Sequence, residues 1–272
     1  MRTVFSLILL LIFSTFSHSQ LAARPINAIG LGAYTIHHSD VFSFVSNTAS
    51  IAQIKNPAAG IYGERRFMLK ELNYYIGAAA LPTRLGSFGL ELNYYGFDLY
   101  NQSGIGLAYG RSLGSKLDIA VQFNYNALHI AGYGNAAAPG FKLGTILHLT
   151  DKLHAGFHIT DPVGGKFGKG RSEKLPSVYT IGIGYDASEK FFCSIELVKE
   201  ENQSANFEAA IQYQVIPRLL VKMGISTATS SVWMGTGLRF QSFRLDIISG
   251  YHPQLGITPA MSLIFYLKKK EN

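Results

Sequence analysis

A two-residue alternation of bulky apolar side chains with small or amide-bearing ones, repeated along most of the chain, is the feature that most limits what this sequence can fold into. It is clearest from Leu117 to Leu128, where Leu117, Ile119, Val121, Phe123 and Tyr125 take one face and Asp118, Ala120, Gln122, Asn124 and Asn126 the other. Successive side chains of a strand point to opposite sides, so this segment is a strand with one apolar and one polar face. The same pattern sets Phe207, Ala209, Ile211 and Tyr213 against Asn206, Glu208, Gln212 and Gln214, and Phe243, Leu245 and Ile247 against Arg244 and Asp246. About thirteen such segments follow one another from residue 65 to residue 267.

The strands of a soluble sandwich also alternate. There the polar faces meet water and are rich in Lys and Glu; here they are largely Gly, Ala, Asn and Gln. Charged residues make up 15% of the chain, against about 25% in soluble domains. Apolar rows turned to lipid, with small and polar rows turned inward, describe a closed transmembrane antiparallel β-barrel, all-β in class. Aromatics toward the strand ends, among them Tyr94, Tyr109, Phe240, Phe243, Tyr251 and Phe265, suit the two membrane interfaces. Tight turns near residues 82–86, 150–152 and 241–242 alternate with longer or more polar connections at 130–140, 162–176 and 253–257. In outer-membrane barrels the tight turns are periplasmic. A last strand ending on that side requires one more upward strand near the start. The expected place is 65–71, for about 14 strands.

The N-terminus carries Arg2, an apolar run over 4–13 and small residues ending Ser17-His18-Ser19. That order is a secretory signal peptide, expected to leave a mature chain beginning at Gln20. The expected organisation is a signal peptide at 1–19, a plug-like luminal segment at 20–63 and an outer-membrane barrel at 64–272. The single cysteine, Cys193, allows no internal disulfide and stands far from the position a lipid anchor needs. A net charge of +7 on an exported protein points to anionic lipid and lipopolysaccharide as partners, not to nucleic acid.

The region 26–61 does not alternate. It contains Ala28-Ile29-Gly30-Leu31-Gly32-Ala33-Tyr34, then Asp40-Val41-Phe42, then Asn56-Pro57-Ala58-Ala59-Gly60, and further on stands Leu107-Ala108-Tyr109-Gly110-Arg111-Ser112-Leu113-Gly114. These stretches resemble the FadL-type outer-membrane transporters, most closely their Bacteroidetes relatives, the PorV and PorQ barrels of type IX secretion. The resemblance implies a 14-stranded barrel with the N-terminal segment in the lumen, and Asn56, Pro57 and Ala58 as its plug motif. It implies a component associated with type IX protein secretion, partnered by secretion-system proteins. The alternatives are passive transport of small hydrophobic molecules, as in FadL itself, or a structural or porin-type barrel. With 272 residues the chain is shorter than typical FadL transporters, which argues against a large extracellular capture site.

Two polar groups stand out on the inward face. With 150–152 as a three-residue turn, His148 lies opposite His154, and His158 shares their face. Two facing imidazoles can hold a metal, but the spacing offers no third ligand, and ordinary lumen lining is the competing reading. With 241–242 as a two-residue turn, Arg239 lies opposite Arg244, a like-charge pair that needs an anion. Asp246, diagonal to Arg239, is the expected source, ahead of an anionic ligand or a plug carboxylate. The basic, glycine-rich stretch 164–174 lacks the phosphate-loop spacing and reads as an outer loop. The sequence holds no nucleophile–base–acid constellation, so it supports neither an enzyme nor a cofactor.

Overall fold

The computed structural model describes residues 25–26, 31–167, 173–227 and 230–267. The expected signal peptide at 1–19, the tail lysines Lys268 to Lys270, and residues 168–172 with Lys169 and Arg171 lie outside them. Among the described residues sixteen strands are formed: β1 Ala58–Arg65, β2 Asn73–Thr83, β3 Gly86–Phe97, β4 Tyr100–Leu113, β5 Leu117–Ile130, β6 Gly134–His148, β7 Leu153–Thr160, β8 Lys166–Phe167, β9 Glu173–Lys174, β10 Val178–Asp186, β11 Phe191–Glu200, β12 Asn206–Ile216, β13 Leu219–Ser226, β14 Ser231–Arg239, β15 Phe243–His252 and β16 Gly256–Tyr266. Fourteen of them close into one antiparallel barrel, β1 pairing with both β2 and β16, while β8 and β9 form a separate hairpin.

Side-chain direction follows the alternation. In β5, Phe123 is 69% exposed and Tyr125 57%, whereas their neighbour Gln122 is fully buried. A water-soluble sheet shows the opposite, because its apolar row would be covered. Here the greasy residues form the outer belt and the amides line the interior, which makes this a transmembrane barrel. No helix among the described residues is long and apolar enough to cross a membrane, and the crossing is made by strands. Both ends of the barrel sequence and the tight turns 84–85, 114–116 and 217–218 lie at one rim, taken as periplasmic by the habit of such barrels.

Two expectations are corrected. The extra upward strand is β1 at Ala58–Arg65, not 65–71, which instead forms two 3-10 turns, Arg66–Met68 and Lys70–Leu72. The outward row of β1 holds Ala59 and Gly63 beside Ile61, so its apolar signal is weak and the Asn-Pro-Ala stretch hides its start. Phe67 and Met68 turn the chain there with φ of 53° and 63°, a region bulky residues rarely enter. The Phe67 N–H bonded to Thr258 Oγ1 at 3.1 Å helps to hold it. The second correction concerns 130–140. Asn135 to Ala138 carry no branched or aromatic side chain and read as loop. They belong to β6, paired with Asn126 to His129, so the outer connection shrinks to three residues.

Candidate functional site

The segment that runs from Leu31 into β1 lies inside the barrel toward its periplasmic rim, against wall residues such as Asp118 and Asp186. It folds as short turns, a helical turn at Ser43–Ser46 and a 3-10 stretch at Thr48–Gln53. Asn47 caps the latter, its side chain accepting from the Ala49 N–H at 3.0 Å, as Asn or Thr at that place in the sequence suggests. Tyr34, Phe42, Phe44 and Ile51 have no solvent contact beyond 1%. They lie against barrel glycines. A Cβ at Gly182 or Gly184 would overlap Tyr34, one at Gly110 would overlap Ile51, and one at Gly60 would press on the Phe42 ring at 2.8 Å. These glycines are there for space, since their φ values are ordinary. Gly104 and Gly106 serve something else, facing Asn93, Asn124 and Gln122.

Polar anchors fix the plug to the wall. The first is ionic. Arg244, buried, reaches Asp40 of the plug at 2.5 Å and Asp246 of its own strand at 2.9 Å, and Lys222 adds a bond to Asp246 at 3.0 Å. Two cations and two carboxylates thus neutralise one another with their side chains 9% exposed or less, the condition under which ion pairs are least screened. Arg239 does pair across from Arg244. Asp246, however, turns to Arg244 and Lys222 instead of Arg239, because the inward face of β13 brings a second cation closer. Arg239 is left exposed at a polar pocket of about 280 Å³ at the periplasmic mouth, shared with His37, His38, Gln212 and Tyr266.

The second anchor is a chain of histidines and aspartates. His148 and His154 stand opposite each other, and their Nδ1 atoms are 2.8 Å apart, so one nitrogen donates and the other accepts. Outward along the chain, His148 Nε2 donates to Asp118 at 2.8 Å and His154 Nε2 to Asp186 at 3.2 Å. Both aspartates also hold the plug. Asp186 accepts from the Thr35 hydroxyl at 2.5 Å and the Ile36 N–H at 3.1 Å, and Asp118 accepts from the Gln53 amide. His158 stands apart from this pair, bonded at 3.1 Å to the Thr48 hydroxyl. His38 is a third contact, donating from Nε2 to the Ser188 carbonyl at 3.3 Å, accepting at Nδ1 from Gln212 at 3.1 Å and stacking on Phe192. Burial pushes its imidazole below the ordinary histidine value, while the Ser188 carbonyl and the Asp186 charge pull it upward.

Asn56 and Pro57 form the junction between plug and barrel, and Ala58 is the first residue of β1, with the Pro57 carbonyl accepting from the Leu267 N–H at 2.8 Å. Above the plug, sequence reasoning missed a second polar group. Glu64 takes hydrogen bonds from the Tyr62 hydroxyl, from Arg66 at 2.6 Å and from the Ile26 N–H at 2.9 Å. The Arg66 guanidinium lies 5.7 Å from the ring centres of both Tyr74 and Tyr95. Further along β3, Glu91 accepts from Lys142 at 2.7 Å and Gln122 at 2.8 Å. Trp233 is buried facing inward, and its indole N–H has no partner. The alternation marked these residues as inward, but nothing in it pairs them.

No family model and no curated protein matches the sequence. Solved structures do match. The CymD monoaromatic hydrocarbon channel has a TM-score of 0.65 at 10% identity, over 91% of this chain and 98% of that one. The Ralstonia pickettii toluene transporter TbuX gives 0.64 at 10% identity, over 90% and 97%. A Pseudomonas aeruginosa FadL homologue gives 0.60 at 10% identity, over 90% and 97%. The fold is that of a FadL-type outer-membrane barrel. The FadL side of the resemblance is thereby supported at the level of fold, and the PorV/PorQ side finds no support among these neighbours. In this chain the segment from Leu31 to Pro57 packs inside the closed 14-strand wall.

Proposed function

We propose that this protein is an outer-membrane channel for passive entry of small apolar molecules, with the segment from Leu31 to Pro57 as its gate. The observation that carries this reading is the apolar contact between plug and wall. Tyr34, Phe42, Phe44 and Ile51 of the plug join Ile76, Phe192, Ile248 and Ile264 of the wall in one buried cluster. A water-filled porin keeps a polar lumen, and a site for apolar ligands is lined by hydrophobic and aromatic side chains with few polar groups. The likeness in fold to monoaromatic hydrocarbon and toluene transporters is consistent with such cargo. Export by the 1–19 signal peptide and residence in the outer membrane belong to the same proposal.

The test is uptake of radiolabelled toluene by Gram-negative cells with an intact lipopolysaccharide leaflet. Cells making the protein are expected to take up toluene faster than cells without it, and to show no gain for glucose. Equal toluene uptake in both would sink the reading. A second reading, a closed barrel serving type IX protein secretion, is favoured by how tightly Tyr34 fills the space over Gly182 and Gly184. Its mark is co-purification of secreted proteins from native membranes together with no toluene uptake.

A further inference from the structure

The outer wall is not evenly covered with side chains. β1 and β2 turn Gly63 and Gly77 toward the lipid, and Tyr75, Leu245, Met261 and Leu263 rise around them. The resulting groove measures about 730 Å³, and its lining is mostly carbon. It is a depression in an intact wall, because β1 stays paired to β2 from Ala58 to Arg65 and to β16 from Ala58 to Glu64. It runs from Ile61 to Arg65, roughly 13 Å at the strand rise, toward the rim opposite the chain ends, which is the outer leaflet.

At that upper end the chemistry changes. Arg65 faces outward and is exposed, and its one side-chain hydrogen bond among the described residues is from Nε to Asn73 at 3.3 Å. The terminal guanidinium nitrogens are left for a ligand, in the fork geometry that fits a phosphate. An apolar trough ending at a free guanidinium is complementary to an acyl chain that ends at a phosphate. Lipid elsewhere on the barrel meets a convex surface and exchanges freely, whereas a chain lying in the trough gains contacts on both flanks and a charge-assisted bond at its head.

We infer that this groove is a specific binding site for a phosphate-bearing lipid of the outer leaflet, with one acyl chain over Gly63 and Gly77 and the phosphate on Arg65. The inference rests on the outer-membrane placement proposed above and not on the transport activity. It is tested with the full-length barrel in phosphatidylcholine nanodiscs supplied with bisphosphorylated lipid A, by counting bound lipid A in native mass spectrometry after detergent extraction. Wild type is expected to retain one lipid A. Arg65→Gln should retain it about tenfold less, the loss of one charge-assisted bond, and chemically dephosphorylated lipid A should be held equally weakly by both. Gly77→Leu fills the trough and should lose both lipids. Its added Cβ sits at an ordinary 3.6 Å from Leu92, so the wall tolerates it. Equal retention by wild type and both variants, or retention by wild type that ignores the phosphate, overturns the site. Toluene uptake by the same variants is expected to stay at the wild-type level, so failure of the groove and failure of the channel are read separately.

Discussion

Replacing Asp40 with Asn tests whether the plug is held by charge. Asn keeps the acceptor that caps the Phe42 N–H at 2.9 Å and nearly the same volume, but removes the carboxylate that Arg244 reaches at 2.5 Å. The network of Arg244, Lys222, Asp40 and Asp246 then carries one uncompensated positive charge in a largely buried place. Breaking a buried ion pair from one side costs about 3–5 kcal/mol. Arg244 retains Asp246, which places the expected cost at the low end, about 3 kcal/mol, or roughly a hundredfold in the equilibrium for plug release. The readout is labelling of a cysteine placed at Ser50, whose buried hydroxyl has no partner, in a Cys193→Ser background. A charged thiol reagent added in the periplasmic compartment should react about a hundredfold faster when Asp40→Asn is present. Adding Arg244→Met leaves Lys222 and Asp246 as a neutral pair and should recover part of the loss, a coupling of contacting residues that a double-mutant cycle detects. A labelling rate within about twofold of the parent would show that packing alone seats the plug.

Three further outcomes are expected. Gly182→Val puts a branched side chain into the space of the Tyr34 ring, so the heat-modifiability midpoint on gels should fall by an amount matching about 1–3 kcal/mol, and an unchanged midpoint would show that the plug yields freely. His38 titrates below its ordinary value because burial favours the neutral ring. Its contribution to plug seating is complete above the unbound histidine value and is lost as pH falls through the lowered one, so labelling at residue 50 should accelerate on acidification. His38→Gln should remove that acceleration, and persistence of the full effect would assign it to another group, such as Asp186. Asp161, at φ 50° beyond the end of β7, accepts from the Phe141 N–H at 2.8 Å while burial pushes its carboxyl above the usual range. A raised carboxyl costs stability once ionised, a cost absent below the unfolded value and complete above the folded one. Asp161→Asn should therefore leave the barrel at least as heat-resistant at neutral pH, and a clear drop in the midpoint would show that the charge itself is needed.

Much of this molecule is visible in a period of two. Phe123 and Gln122 are adjacent, and the alternation alone sends one to lipid and the other to the lumen. Short turns fix register, so the facing pairs His148–His154 and Arg239–Arg244 could be read from turn lengths. Where alternation is carried by glycine and alanine, as in β1 and the first half of β6, the signal fails, because a strand there is made by its paired neighbours and not by its own side chains.

Sequence by itself determined which way the side chains of the alternating strands face, and hence a barrel with an apolar exterior. Only the closed structure decided which inward residues meet. Asp40 and Arg244 are 204 residues apart, Thr35 and Asp186 are 151 apart, and Gln53 and Asp118 are 65 apart. Orientation is a local property of the backbone, repeated every second residue. Contact across a lumen depends on closing the last strand onto the first and on the path the N-terminal segment takes inside, which no short window of residues contains.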